Sequence, residues 1–513
     1  MTQNDPNGQN PPPNQGPLPP VGDIRDPLFS RQWHLSNTGQ GGGTPGEDAR
    51  VVGAWNEGFS GRGVRVAVVD DGLEVNHEDL RPNVFVSQSF NYATNKNDPS
   101  PVTNGPCDGD GGNADCHGTS IAGVIAGFAN QVGGRGAAPY ATLVGYNLLA
   151  NGALSVDSTE ADAMQRNAPA VWVSNNSWGK DDDGRLHTSS AVWKAAVVTG
   201  LESGRGGLGT IYTWAGGNGG RRRNDNSNYE AYANFRGVMA ICGVDADGRQ
   251  PDYSDPGANL WVCTPSSAGN RPLPGVVTTD RTGAEGYNAG TGGDLDSANY
   301  TGRFGGTSSA TALASGIVAL VLEANPRLGW RDVRQVLAET ARRNDPSDGD
   351  WTKNGAGVFV NHKYGFGVAN AQAAVARAKT WTPLGPQKQF TVSGEAPRPL
   401  AAVDAVTLSA NVSASGITKI EWVEIELTVE HQNDGELDIA LVNNATGTRS
   451  QLAQARSCDP VALDACGNYN GWVFGSARHL NEAADGTWSL DIRDAQPGQS
   501  GTVVSWRLIF YGT

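Results

Sequence analysis

"GVRVAVVDDG", residues 63–72, decides the architecture. Val64, Val66, Ala67, Val68 and Val69 make a nearly unbroken apolar run that ends on two acids, Asp70 and Asp71. A strand wet on one face alternates apolar with polar residues, whereas a Val-rich run of this kind is covered on both faces. Such strands belong to parallel sheets, whose connections are helices. Working outward, "AWNEGFSG" (54–61) and "SIAGVIAGFAN" (120–130) are helical in period or composition. "PAVWVSNNSWG" (169–179) and "TIYTWAGGNGG" (210–220) are further apolar strands that stop in Asn/Gly turns. The pattern predicts an α/β fold over residues 26–383, a parallel sheet flanked by helices. Ligands of such sheets sit beyond the carboxyl ends of the strands.

After Trp381 the character changes. "IEWVEIELTVEH" (420–431) has mostly period-two spacing. "TWSLDIRD" sets Trp488, Leu490 and Ile492 on one face, and "VVSWRLIFYG" does so with Val504, Trp506, Leu508 and Phe510. These are half-buried antiparallel strands, so residues 384–513 are expected to form a separate all-β jelly roll or sandwich. Residues 1–25 are rich in Pro, Asn and Gly and read as a disordered tail without the pattern of a signal peptide.

The 513-residue chain carries a formal net charge of −15, which argues against a nucleic-acid partner and suits a basic one. No apolar run is expected to reach membrane-spanning length. Six cysteines fall in three close pairs, Cys107 with Cys116, Cys242 with Cys263, and Cys458 with Cys466. Fifteen connectivities are open to six cysteines, and buried thiols are the alternative to bridges. The even count in short loops favours disulfides and a secreted, extracellular or periplasmic protein. No CxxC spacing suggests zinc.

Three element ends carry reactive side chains. Asp70 and Asp71 close the Val-rich strand, His117 stands in "DCHGTSIAG" (115–123), and Ser308 stands in "RFGGTSSATALASGIVAL" (303–320). Singly, each has a plainer reading: a turn acid, a loop histidine, a serine capping a helix. Together they stand in the order Asp, His, Ser, each beside glycine. A serine hydroxyl becomes a nucleophile when a histidine takes its proton and a carboxylate orients the imidazole.

"VAVVDDGLEVNHEDL" (66–80), "HGTSIAGVIAG" (117–127) and "GGTSSATALASG" (305–316) resemble the signature segments of the subtilisin-like serine proteases. "DDG", "SWGKDDDG" (177–184), "WAGGNGG" (214–220) and the trailing β-domain resemble the kexin/furin branch, the proprotein convertases, and the last domain resembles their P domain. The resemblance implies a calcium-dependent serine endopeptidase that cuts protein and peptide substrates after basic residues, Lys-Arg or Arg-Arg pairs foremost. An inactive protease-shaped binding protein and an enzyme of single-arginine or broad specificity are the rival readings.

Carried over residue by residue, the resemblance makes Asp70, His117 and Ser308 the triad and Asn218 the side-chain donor to the oxyanion. Asp182 and Glu230 would face the basic residue before the cut, and Asp71 and Asp115 the residue upstream of it. Glu160 would hold a basic residue four places upstream, although Thr188 replaces its companion acid. Ala312 replaces a proline. Calcium (Ca2+) would sit at Asp26 and Asp79 with the loop "NQVGG" (130–134), and again at Asp182, Asp225 and Asp255. The P domain would pack on and stabilise the catalytic domain. A removed prodomain or a separate folding chaperone would assist folding.

Overall fold

The computed structural model describes residues 24–107, 114–151, 153, 155–289, 294–456 and 466–513. The expected tail lies, through residue 23, outside them, as does Cys458. Seven parallel strands form the central sheet: β1 (Arg65–Asp70), β2 (Phe90–Asn91), β3 (Thr142–Asn147), β4 (Val173–Asn176), β5 (Ile211–Ala215), β6 (Val238–Val244) and β7 (Leu260–Pro265). Their order is β2-β3-β1-β4-β5-β6-β7, so the Val-rich strand lies inside the sheet. Its side chains divide two cores by period two. Val66 and Val68 join one core, and Ala67 and Val69 join the other.

Helices cover both faces. Helices α1 (Val51–Asn56), α2 (His117–Ala126), α6 (Gly306–Ala324), α7 (Trp330–Thr340) and α8 (Ala371–Lys379) supply the first core. Helices α3 (Asp157–Gln165) and α4 (Ala191–Ser203) supply the second, and α5 (Gly220–Arg223) is a single turn after β5. Helix α6 corrects one expectation. Its 19 residues are long and apolar enough to cross a membrane, but 89% of its most apolar window is buried, as in a central core helix. A disulfide joins Cys242 and Cys263 on the paired strands β6 and β7, and another joins Cys107 to Cys116. Cys466 is disulfide-bonded as well.

Beyond the sheet, β8 (Val276–Thr279) pairs with β9 (Tyr300–Phe304), and β10 (Thr352–Lys353) with β11 (Phe359–Val360). The C-terminal strands are β12 (Lys388–Ser393), β13 (Arg398–Leu400), β14 (Ala405–Val412), β15 (Ile420–Glu430), β16 (Leu437–Asn443), β17 (Arg449–Ala453), β18 (Asn470–Ser476), β19 (Gly486–Asp494) and β20 (Gly501–Gly512). They build two antiparallel sheets, β12-β20-β15-β18 with β13 on β20, and β14-β19-β16-β17.

Two departures from the sequence pattern have physical causes. Val504 does not share the inner face. The register of β20 on β15 skips it, so Val503 is buried and Val504 is 37% exposed, as a bulge requires. The second concerns β15, whose outward residues are buried too, including Glu424 and Trp422. The α/β unit covers them. Trp422 packs 6.4 Å from Trp261, and the Arg334 guanidinium lies 5.1 Å over its ring. Arg331 Nε donates to Glu421 at 2.7 Å, and the Tyr511 hydroxyl donates to Glu424 at 3.0 Å. The β-domain is therefore not separate in packing. Trp422 and Tyr511 belong to the core of the α/β unit, while Tyr229 and Ala258 belong to the β-sandwich core.

Removing a buried tryptophan leaves a cavity that its neighbours only partly fill. Trp422→Ala is expected to destabilise the protein by about 3–5 kcal/mol. Calorimetry should show the β-sandwich melting before the α/β unit in this variant. A single transition at the wild-type temperature would contradict the shared core.

Candidate active site

Strand β1 delivers Asp70 to the carboxyl edge of the sheet with its side chain buried. His117 opens helix α2, and its Nδ1 lies 2.9 Å from Asp70 Oδ1 and 3.1 Å from Oδ2. The neighbouring acid has another task. Asp71 accepts the backbone N–H groups of His117 at 3.0 Å and Gly118 at 2.7 Å, which satisfies the first turn of α2. Glycine is required at 118, because a Cβ there would stand 2.2 Å from the Gly72 carbonyl oxygen. Burial alone would make the His117 imidazole less basic. The charge and hydrogen bond of Asp70, with the charge of Asp71, outweigh that and hold its pKa above 6.5.

The imidazole packs against Phe304, with ring centroids 5.4 Å apart. Phe304 ends β9, and the chain turns through Gly305 and Gly306 (φ +72°) into α6. The two serine hydroxyls of the first turn differ. Ser309 is fully buried and lies 2.8 Å from Ser266 Oγ. Ser308 is partly exposed, and its Oγ donates to the Ser177 carbonyl at 3.1 Å. Capping falls to Asn218, whose Oδ1 accepts the Thr307 N–H at 2.8 Å.

The loop that carries Asn218 rests on acids. Asp182 accepts the Asn218 N–H at 3.0 Å, and Asp255 accepts the Gly220 N–H. A Cβ at Gly217 (φ +106°) would stand 2.0 Å from Asp255 Oδ2, so this close approach demands glycine. One oxygen from each of Asp182, Asp225 and Asp255 lies within 4.8 Å of the others. Burial raises the pKa of Asp225 and Asp255, and repulsion within the cluster raises both further. All-oxygen donors under mutual repulsion fit a hard cation such as calcium. Close by, Glu230 Oε2 accepts the Lys180 N–H at 2.8 Å and Oε1 the Tyr232 N–H at 3.0 Å. Burial pushes the Glu230 carboxyl up to about 7. Asp182 and Glu230 stand on loops joined by the His187–Glu230 bridge.

Other predicted residues are placed differently. Asp115 is buried and accepts three backbone N–H groups, from Val102, Thr103 and Asn151, at 2.7–3.0 Å. Glu160 is buried under the Tyr232 hydroxyl at 2.6 Å, with Ser155 at 3.2 Å. Both are buried, whereas Asp71 and Glu230, whose oxygens also accept backbone N–H groups, stay partly exposed. Asp26 and Asp79 lie near enough for their charges to repel, and Asp26 is paired with Arg135.

Sequence reasoning missed the β-sandwich's share in this wall. Arg456 donates from Nε to the Gly184 carbonyl and lies 3.7 Å over the Tyr229 ring. Asn228 exchanges hydrogen bonds with Gly475 at 2.7 and 3.1 Å, and Leu186 N–H donates to the Cys466 carbonyl at 3.0 Å. These contacts join residues more than two hundred positions apart, and no local pattern signals them.

Residues 61–367 match the subtilase family, and residues 420–510 match the proprotein convertase P-domain. The chain belongs to the subtilase family. It is 34% identical over 501 residues to proprotein convertase subtilisin/kexin type 7 of Mus musculus, covering 96% of this chain and 61% of that protein. It is also 34% identical over 496 residues to furin of Rattus norvegicus, covering 95% of this chain and 58% of that protein. The chain thus spans about three fifths of the curated relatives it matches. A serine protease of Aeromonas sobria superposes with a TM-score of 0.87 at 26% identity, covering 100% of this chain and 99% of that one. The same protease solved in complex with the chaperone ORF2 gives 0.86 at 27% identity, covering 95% of each chain.

The His117 environment has a direct test. Its imidazole is expected to titrate above 6.5 by NMR. Asp71→Asn removes one of the charges that favour the imidazolium, so the midpoint should move to lower pH. An unchanged midpoint would mean that Asp71 acts on α2 alone.

Proposed function

We propose that this chain is a calcium-dependent serine endopeptidase that cleaves after basic residues, with paired Lys-Arg or Arg-Arg sites preferred. One observation carries the reading: a buried carboxylate aligns an imidazole in hydrogen-bond contact, and a partly exposed serine stands in the first turn of the helix that follows the ring's packing partner. With Nδ1 turned to Asp70, His117 Nε2 is free to take the Ser308 proton as Oγ attacks the scissile carbonyl. Asp70 stabilises the imidazolium. His117 then returns the proton to the leaving amine, and water repeats the cycle on the acyl-enzyme. The Asn218 amide nitrogen and the Ser308 N–H would hold the oxyanion, and one such donor is worth about 10²–10³ in turnover.

Substrate choice follows from charge. Asp182 and Glu230 would pair with the guanidinium of the residue before the cut, and Asp71 with the next residue upstream. Asp115 and Glu160 support this wall from within. Calcium held by Asp182, Asp225 and Asp255 would supply the positive charge that lets three carboxylates share one volume beneath the Asn218 loop. The two disulfides among the described residues and the likeness to convertases support an exported protein. A separate chaperone as folding partner agrees with the Aeromonas sobria complex.

Ser308→Ala is expected to lower turnover about 10⁴–10⁶-fold without unfolding the protein. A fluorophosphonate should label Ser308 and leave Ser309 unmodified. For specificity, kcat/KM should fall in the order Lys-Arg, Ala-Arg, Ala-Leu, and Asp71→Asn should narrow only the first gap. Equal rates on Ala-Leu peptides would replace this reading with a broad protease, and full activity in Ser308→Ala would end it.

A further inference from the structure

The Asp26–Asp79 cluster, where family likeness calls for a calcium ion, is built of the opposite kind of partner. Calcium takes six to eight oxygen ligands, typically carboxylates with backbone carbonyls. Here the 130–134 loop turns N–H groups toward the acids. Asp26 Oδ1 accepts the N–H groups of Asn130 at 3.1 Å and Gln131 at 3.2 Å. Asp79 Oδ2 accepts the Gly134 N–H at 3.2 Å. The remaining Asp26 oxygen faces Arg135, with Nε at 3.0 Å and Nη2 in direct contact. Both side chains are almost wholly buried, with 2% of Arg135 and 1% of Asp26 exposed.

The guanidinium is itself held in place. The Arg135 N–H donates to Gln32 Oε1 at 3.0 Å, and Gln32 Nε2 donates back to the Arg135 carbonyl at 2.8 Å. Its charge lies 5.5 Å over the Trp55 ring and 5.8 Å over the Phe29 ring. Leu28 N–H donates to the Gly133 carbonyl at 2.8 Å, so at least one loop carbonyl is turned to the N-terminal segment.

We infer that Arg135 is a built-in cation that replaces the metal at this site and pins residues 26–32 to the loop after α2. The volume beside Asp26 is filled by a guanidinium whose charge opposes a second cation there, and of the two acids only Asp79 keeps a buried oxygen, Oδ1, without a hydrogen-bond partner. The anchor therefore persists in a chelator, and the calcium response of the chain reduces to the Asp182–Asp225–Asp255 cluster. This inference uses the family reading only for the expectation of a metal, and it stands whether or not the protein cleaves basic sites.

The test counts calcium on the full chain and does not read activity. Wild type, Asp26→Asn, Arg135→Met and Asp255→Asn are dialysed against calcium, and bound metal is measured by mass spectrometry. Asp26→Asn is expected to keep the wild-type calcium content, and Asp255→Asn to lose one equivalent. Arg135→Met should melt earlier than wild type by the same interval with calcium and with chelator. Loss of one equivalent in Asp26→Asn would overturn the inference. Should Asp26→Asn fail to fold, Asp79→Asn decides: wild-type calcium content supports the built-in cation, and loss of one equivalent refutes it.

Discussion

The contact between Asp70 and His117 is the constraint from which the rest of the catalytic unit follows. It brings the end of an interior strand against the first residue of a helix, with no room for a side chain at Gly118. A buried carboxylate is costly unless its oxygens are paired. Asp70 meets that demand with the imidazole and the Asp71 N–H at 2.8 Å. The doubled acid then divides the work. Asp70 orients the ring, and Asp71 holds the helix that carries it, so strand, helix and imidazole cannot shift independently.

A second unit grows from the loop after β5. Asn218 touches helix α6 through its side chain and Asp182 through its backbone, while Gly217 and Gly220 rest on Asp255. Asp182 and Asp225 in turn contact the segments that Arg456 and Asn228 tie to the β-sandwich. The amide near Ser308, the acidic cluster and the C-terminal domain therefore share one set of hydrogen bonds. This gives the P domain a physical role at the cleft beyond covering apolar surface: it fixes the loops whose acids would select the substrate.

The parallel sheet was legible because its signal is local. The Val-rich run contains both cores in its alternation, and the Asn/Gly turns mark where strands stop. The ends of those strands also gave the triad candidates, since reactive groups on a parallel sheet collect at its carboxyl edge. What stayed hidden depends on contacts distant in sequence. Strand β15 reads as half-buried because the residues covering Trp422 and Glu424 lie in the other domain. Val504 reads as inward because period two carries no information about a bulge. The apolar run of helix α6 reads as shorter than a membrane span because small residues interrupt it, although small residues are what allow tight burial beside α2 and the sheet.

The acids make the same point more sharply. A sequence rich in carboxylates offers many candidate ligands and pocket residues of identical chemistry, and their roles separate only through what already donates to them. Asp115 has three N–H groups, Asp26 has two with a guanidinium, and Glu160 has two hydroxyls. Those environments answer the negative charge from within the chain. At Asp182, Asp225 and Asp255 the backbone donors are fewer than the oxygens, and the three charges still repel. Uncompensated repulsion is what gives a site its attraction for an external cation. By that measure this cluster retains the demand that calcium would meet, whereas Asp26 is answered by Arg135 and a single buried oxygen of Asp79 is left without a partner.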